Sequence, residues 1–340
     1  MSRIKVLMLF GGESTEHTVS IASARNVFDA LDATKYEVTL CYIDASGKWW
    51  QVRKIVDNKP DDADELLPQL GHGTFVTKNG IQIVVDVILP ILHGRNGEDG
   101  AVQALAQLLH IPIVGCDMAS SSLAMNKLAT KRIVGASGIP IVDYRVHNVG
   151  DALPNFDLLS DSLGSTLFVK PVNAGSSVGV SKVTNQDDLE VSLDEAHRHD
   201  SVVLIEKAID ARELEVAVIG RRPNVETSVV GEIKPEGEFY SYESKYDDLS
   251  TSMVVIPAKI LPELNDQLRG YASDVFDLLG CSGMARVDFF VDRKDGKVYL
   301  NEVNTIPGFT DISMYPKLWE HAGINYSTLI EKLITSALEK

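Results

Sequence analysis

Two stretches concentrate residues able to do chemistry together. The first is Arg286-Val287-Asp288-Phe289, followed after a turn by Glu302-Val303-Asn304. Glu302 and Asn304 sit two apart on a strand pattern, so their side chains share a face. Arg286 shares the face of Asp288 in the same way. Two carboxylates and an amide oxygen are hard ligands, suited to magnesium carried with nucleotide phosphates. The competing reading is a charged row on an exposed sheet face. Hairpin geometry sharpens the choice. Asp288 can oppose Glu302, and Arg286 can oppose Asn304, only if the loop has an odd number of residues or a bulge restores the face. A three-residue loop, Lys294-Asp295-Gly296 with Gly296 left-handed, is the expected solution.

The second stretch is Lys170-Pro171-Val172-Asn173-Ala174-Gly175-Ser176-Ser177-Val178-Gly179-Val180. Its free N–H groups and hydroxyls suit phosphate oxygens, and Lys170, expected to be exposed to the pocket, adds a point charge. It is not a Walker A loop, because no GK[ST] follows. It does match the GxSxG pattern of a serine hydrolase at Ser177. A nucleophile elbow needs a helix directly after the serine, whereas 178–183 continues as β. His321, outside any loop motif, is a poor partner base.

Four further segments stand out. Residues 11–17, Gly-Gly-Glu-Ser-Thr-Glu-His, join a strand to a helix. They read either as a capped turn or as a ligand loop at the carboxyl end of a strand. Residues 93–100, His-Gly-Arg-Asn-Gly-Glu-Asp-Gly, follow a buried strand. Glu98 or Asp99 could simply cap the next helix. Residues 205–209, with Glu213 beyond, are a strand end that could present backbone groups to a planar base. Residues 240–248 are polar and aromatic without period, either a surface loop or a lid that excludes water.

These residues need a scaffold, and the apolar pattern supplies one. Runs at 4–10, 37–43 and 83–89 read as buried strands, with helical spacing at 20–31 and 101–109. Strand–helix–strand succession points to a parallel α/β sheet covered on both faces. From 120 the character changes. A helix spans 120–138, and short strands at 167–171, 178–183 and 202–206 flank a helix near 187–199. Strands at 214–219, 227–233, 287–291 and 298–303 suggest an antiparallel sheet with an amphipathic helix at 264–279. The acidic patch 61–65 reads as a solvated loop.

Composition narrows the function classes. The 340 residues carry 32 Lys and Arg against 48 Asp and Glu, a net charge of −16. So acidic a body repels nucleic-acid backbones and anionic membranes. Cys41, Cys116 and Cys281 are widely spaced and form no zinc or disulfide pattern. The N-terminus reads as a first strand rather than a signal peptide, and no apolar run is long enough to span a bilayer. A reducing cytoplasm is the expected setting.

Seven motifs in order resemble the ATP-grasp carboxylate–amine ligases, and within them the D-alanine–D-alanine ligase family. They are GGxSxEHxVS (11–20), HGxxGEDG (93–100), NKxxTK (126–131), KPxxxGSSVGVSKV (170–183), IEKxI (205–209), RVDFF (286–290) and NEVNTIPGFT (301–310). The resemblance implies an N-terminal α/β domain at 1–115, then a two-part ATP-grasp fold at 116–204 and 205–340. It implies ATP-dependent ligation of two D-alanines through an acyl phosphate, for peptidoglycan precursor synthesis, by a cytoplasmic homodimer. D-lactate or D-serine as acceptor is the alternative on the same scaffold; the dipeptide-forming members resemble this chain in carrying tyrosine at Tyr246.

Site roles follow from the same resemblance. Lys127 and Lys170 contact ATP phosphates under the Ser176/Ser177 loop. Glu206, Lys207, Ala208 and Ile209 border the adenine, Glu213 takes the ribose, and Phe239 covers the base. Asp288, Glu302 and Asn304 hold two magnesium ions, with manganese as a substitute. Glu16 holds the first D-alanine, assisted through Ser176 and Tyr246. Lys245 and Ser313 hold the carboxylate of the second, and His93 lies near both. Arg286 and the Gly308 N–H polarise the reacting carbonyl. The chain departs from some members at Asn173-Ala174, where they carry a charged pair.

Overall fold

A computed structural model describes residues 2–234 and 253–339. The first strand, β1 (Ile4–Gly11), is buried almost throughout because it is paired on both sides and covered on both faces. Val6, Met8 and Phe10 face one side and Leu7 and Leu9 the other, in the alternation that a pleated strand imposes. The helix His17–Ala30 covers the first face, and the helix Ala101–Leu109 covers the second. The remaining strands of this sheet are β2 (Tyr36–Ile43), β3 (Trp49–Val52), β4 (Asp64–Gln69), β5 (Thr74–Thr77), β6 (Gln82–Val84) and β7 (Val87–Ile91). The order is β6-β5-β4-β3-β2-β1-β7.

The sheet is mixed, which corrects the expectation of a parallel one. Only β1 with β2 and β1 with β7 run parallel, while β2 through β6 are joined antiparallel. The run 83–89 divides into β6 and β7. Asp86, at the break, accepts the Lys5 N–H on Oδ2 at 2.8 Å and donates its own N–H to the Lys5 carbonyl. The acidic patch 61–65 is also not wholly a loop, since Asp64 and Glu65 begin β4.

The next sheet holds β8 (Tyr144–Asn148), β9 (Leu167–Pro171), β10 (Ser181–Val183) and β11 (Val202–Lys207), in the order β10-β9-β11-β8 and all antiparallel. β11 runs across position 204, so residues 205–207 belong to this sheet. The helical stretch 120–138 is two helices, Met118–Met125 and Lys127–Ala136, separated at Asn126, whose side chain accepts the Ala129 N–H and caps the second.

The third sheet holds β12 (Ala211–Arg221), β13 (Asn224–Lys234), β14 (Met253–Val255), β15 (Gly283–Asp292) and β16 (Val298–Asn304), in the order β14-β13-β12-β15-β16. The helix Pro262–Leu278 packs on one face through Leu268, Ala272, Val275 and Phe276. The final helix, Tyr326–Leu338, inserts Leu329, Ile330, Leu333 and Ile334 into the core that β1 and the helix His17–Ala30 begin.

The β15–β16 hairpin pairs Arg286 with Asn304 and Asp288 with Glu302. Nearer the turn the register shifts, and Phe289 pairs with Leu300 and Val291 with Val298. Asn301 is the extra residue of a bulge. Asp292 accepts the Gly296 N–H and donates to the Lys297 carbonyl, which closes a loop of residues 293–296. The loop is therefore one residue longer than expected, and the bulge restores the face. Gly296 is left-handed, at φ 74°.

Candidate active site

Three adjacent strands deliver an acidic row. Their register sets Glu215 opposite Asp288, and Asp288 opposite Glu302. Like charges directly opposite destabilise a sheet unless cations intervene. Arg286 supplies one: its Nε lies 2.9 Å from Glu215 Oε2 and donates to Asp288 Oδ1 at 2.8 Å, and its Nη2 donates to Asp288 Oδ2 at 2.7 Å. Burial opposes the charge, but Asp288 and Glu215 hold the guanidinium well above its ordinary range. Asn304 Nδ2 donates to Asp288 Oδ2 at 2.9 Å, and Lys127 Nζ stands 3.9 Å from Glu302 Oε2.

This donor set fits a hard divalent ion. Among the described residues, no three acidic, histidine or cysteine side chains alone form a group that could hold a metal. Asp288, Glu302 and the amide oxygen of Asn304 are donors of the type such an ion takes.

Above the row, two loops of the first sheet meet the Gly/Ser loop. Ser14 Oγ donates to the His93 carbonyl at 2.6 Å, and Asn96 Nδ2 donates to Glu13 Oε2, so residues 11–16 and 93–100 are tied together. Gly94 lets them approach: at φ 69°, a Cβ there would stand 3.0 Å from Glu16 Oε2 and 3.1 Å from Ser14 Cβ. A Cβ on Gly175 would come within 3.7 Å of Glu16 Oε2 and 3.9 Å of Glu98 Oε1, which places the Gly/Ser loop against both carboxylates. Burial, reinforced by Glu16, pushes the Glu98 carboxyl up to about 8. Glu16 precedes the helix His17–Ala30 but gives it no side-chain cap, and its side chain lines the cleft instead.

His93 bridges the two halves of the site. Its Nδ1–H donates to the Ile306 carbonyl at 3.0 Å, which leaves Nε2 to accept from Ser23 Oγ at 3.3 Å. Burial lowers its pKa, so the ring is neutral. Ser313 Oγ accepts the Thr310 N–H at 3.0 Å, and a Cβ on Gly308 would meet that Oγ at 2.7 Å.

The Gly/Ser loop turns through two residues of positive φ, Ser176 at 49° and Ser177 at 60°, with the Val178 N–H bonded to the Gly175 carbonyl. That conformation costs of order 1–3 kcal/mol at each non-glycine residue. No helix follows Ser177; a turn leads into β10. The elbow that a serine hydrolase requires is absent here.

Beside this loop lies a second ion cluster. Glu206 Oε1 is 3.0 Å from Lys131 Nζ, and Glu206 Oε2 is 2.6 Å from Lys170 Nζ. Burial alone would raise the Glu206 pKa, but Lys170 and Lys131 hold it below its ordinary range. Lys170 is 9% exposed, so it is buried in an ion pair rather than open to the pocket. The Lys207 and Ala208 N–H groups bond the Asp143 and Thr166 carbonyls.

A cleft of about 420 Å³ brings most of the expected residues together. Glu16, His93, Lys127, Ser176, Glu213 and Arg286 line it, as do Asp288, Glu302, Asn304, Gly308 and Ser313. Lys170, Ser177, Glu206, Lys207, Ala208 and Ile209 lie outside that lining, joined to it through Lys127, whose N–H bonds the Val172 carbonyl and whose Nζ bonds the Ala174 carbonyl. Phe239, Lys245 and Tyr246 fall outside the described residues, as does the expected lid at 240–248. Three site residues escaped the sequence reading. Glu98 looked like a helix cap, Glu215 lies two beyond Glu213 on the same face of β12, and Lys131 lies one helical turn beyond Lys127.

Known proteins resemble this chain over its whole length. The family described as D-ala D-ala ligase N-terminus matches residues 5–116, and D-ala D-ala ligase C-terminus matches residues 133–335. The chain is 44% identical to a D-alanine–D-alanine ligase of Caldicellulosiruptor bescii, covering 100% of this chain and 96% of that protein. It is 40% identical to D-alanine–D-alanine ligase A of Escherichia coli K12, covering 100% and 97%. Among solved structures, the D-alanine-D-alanine ligase from Coxiella burnetii superposes with a TM-score of 0.86 at 35% identity, over 99% of this chain and 96% of that one. The VanG D-Ala:D-Ser ligase from Enterococcus faecalis superposes at 0.90 with 33% identity, over 99% and 100%. The architecture is that of an ATP-grasp ligase. The chain belongs to the D-alanine–D-alanine ligase family.

Proposed function

We propose that this protein joins two D-alanines into D-alanyl-D-alanine at the expense of ATP, supplying a precursor of peptidoglycan. The single observation that carries the reading is the acidic row Glu215–Asp288–Glu302, bound to Arg286, facing Glu16 and the Gly/Ser loop across one cleft.

A carboxylate is a poor electrophile, because its leaving group would be oxide. Transfer of the γ-phosphoryl group to the first D-alanine gives an acyl phosphate. The amine of the second then attacks, phosphate leaves, and the ammonium proton lost from the nucleophile passes to solvent or phosphate. Glu16 binds the first ammonium. Arg286, with the Gly308 N–H, stabilises the oxyanion of the tetrahedral intermediate. Lys127 and Lys170 neutralise phosphate charge, with Ser176 and Ser177 over it, and Ile209 offers its N–H to the base near Glu206, Lys207 and Ala208. Glu213 takes the ribose and Phe239 the base face. Ser313 and Lys245 bind the carboxylate of the second substrate, Tyr246 with Ser176 assists Glu16 and sets acceptor discrimination, and His93 positions the 306–309 loop. Asp288, Glu302 and Asn304 would hold magnesium, two ions, which would supply further charge neutralisation on the transferring group.

In this reading the chain has three parts, with the second ending at the close of β11, and works as a cytoplasmic homodimer. Phosphate release coupled to ATP tests the reaction, with D-alanine alone and then with D-lactate or D-serine as competing acceptor. Release with D-alanine and a dipeptide product is the expected outcome. Preference for D-serine or D-lactate, or no ATP-dependent release, overturns it.

A further inference from the structure

We propose that Lys131 is a positioning residue for ATP, sharing Glu206 with Lys170 so that the cluster keeps a net positive charge and Lys170 its place for phosphate. The inference rests on the reading that nucleotide phosphates lie against Lys170.

The geometry is that of a shared counter-ion. Glu206 is 3% exposed and gives one carboxylate oxygen to each lysine. With Lys170 alone, this carboxylate would cancel the only cation that β9 contributes, and the pair would offer phosphate no net charge. Lys131 adds the second cation, and the cluster carries a net +1. It also competes for the carboxylate, so Glu206 is drawn between two lysines rather than onto one. Lys131 lies on the helix Lys127–Ala136 one turn after Lys127, which puts both ammonium groups on the same helix face. Its own surroundings fix it in place: it is 2% exposed, and its Nζ stands 5.8 Å from the centre of the Tyr144 ring. A lysine so buried is costly without a purpose, and burial indeed draws its pKa below the ordinary range against the pull of Glu206.

The test compares Lys131→Met, Lys170→Met and the double variant Lys131→Met/Glu206→Gln in the full-length protein. Lys131→Met should raise the KM for ATP, and the dissociation constant for ADP, about tenfold. That is the order expected when a unit charge one carboxylate away is removed at an effective dielectric of about 20. The kcat should stay within about twofold, and the KM for D-alanine should not move. In the double variant the cluster regains its net +1, and affinity for tripolyphosphate, which carries no base for Glu206 to border, should return toward the parent. A merely structural lysine predicts the opposite pattern: two substitutions weaken binding further, and all kinetic constants fall with thermal stability. Unchanged nucleotide affinity in Lys131→Met, or no recovery in the double variant, overturns the proposal. Unchanged affinity in Lys170→Met overturns the underlying reading instead.

Discussion

The two buried ion clusters of this protein use the same parts in opposite proportion. Around Asp288, the carboxylates of Glu215, Asp288 and Glu302 meet Arg286 and the more distant Lys127. Around Glu206, one carboxylate meets Lys131 and Lys170. The first is left with an excess of negative charge and the second with an excess of positive charge. A buried cluster tolerates such an excess poorly unless a partner of opposite sign arrives. The two excesses thus name two guests, a cation at the hairpin and an anion beside the Gly/Ser loop. A nucleotide with its metal ion brings both.

The largest way to disturb this balance is Arg286→Met. It strands Glu215 and Asp288 against each other in a buried row, which should cost about 3–5 kcal/mol in urea unfolding. Turnover should drop about 10²–10³-fold if the guanidinium also stabilises the oxyanion. Adding Glu215→Leu should return much of the stability and none of the turnover. Turnover within tenfold of the parent for Arg286→Met would remove it from the chemistry.

Glu215→Gln is a gentler probe of the negative side. It spares the proposed ligands while removing one charge of the excess. Manganese affinity in the presence of ADP, followed by electron paramagnetic resonance, should weaken about 10–100-fold, the range found for the outer partners of metal sites. An unchanged affinity would mean that the acidic excess is not what attracts the ion.

The last probe concerns Glu98, and it refines the charge count of the cleft. Its carboxyl is pushed from an ordinary 4.5 up to about 8, so the folded protein keeps a proton that the unfolded chain releases. Its contribution to stability is greatest below about pH 4.5 and declines as the pH rises toward 8. Glu98→Gln keeps the site neutral throughout. In metal-free buffer, its melting temperature should fall less between pH 5 and 8 than that of the parent. Parallel curves for the two proteins would show that Glu98 is ionised in the fold and adds to the negative excess.

How far the sequence reveals this site differs by element. Parity puts Asp288 opposite Glu302 or Asn304, and of these the strands adopt the pairing with Glu302, which sets Arg286 opposite Asn304. It could not choose between a shorter loop and a bulge, because either one restores the face. The strands β3, β4 and β5 are short and half-buried, and β4 begins on Asp64 and Glu65 and contains Pro68, so their alternation is faint. Lys131, Glu98 and Glu215 share a different reason. A charged residue at helix or strand spacing ordinarily marks a solvated face, and only tertiary packing tells a buried charge from an exposed one. The same holds for Lys170, whose motif suggests a side chain open to the pocket, while Glu206 encloses it.

The helix Tyr326–Leu338 sets a condition on how the chain is made. It completes the apolar face of Val6, Met8, Phe10, Ile21 and Val27, and at its rim Lys35 and Glu331 meet, 2.7 Å apart in space and 296 positions apart in sequence. At about 5–20 residues per second, a ribosome takes about 15–60 s to cover that interval. Throughout it, the oldest part of the nascent chain holds an apolar surface for a partner that does not yet exist. Early folding of β1 and its helix is thus provisional, and a message truncated before this helix would yield an adhesive product, open to chaperones and to aggregation, even with every residue of the cleft already translated.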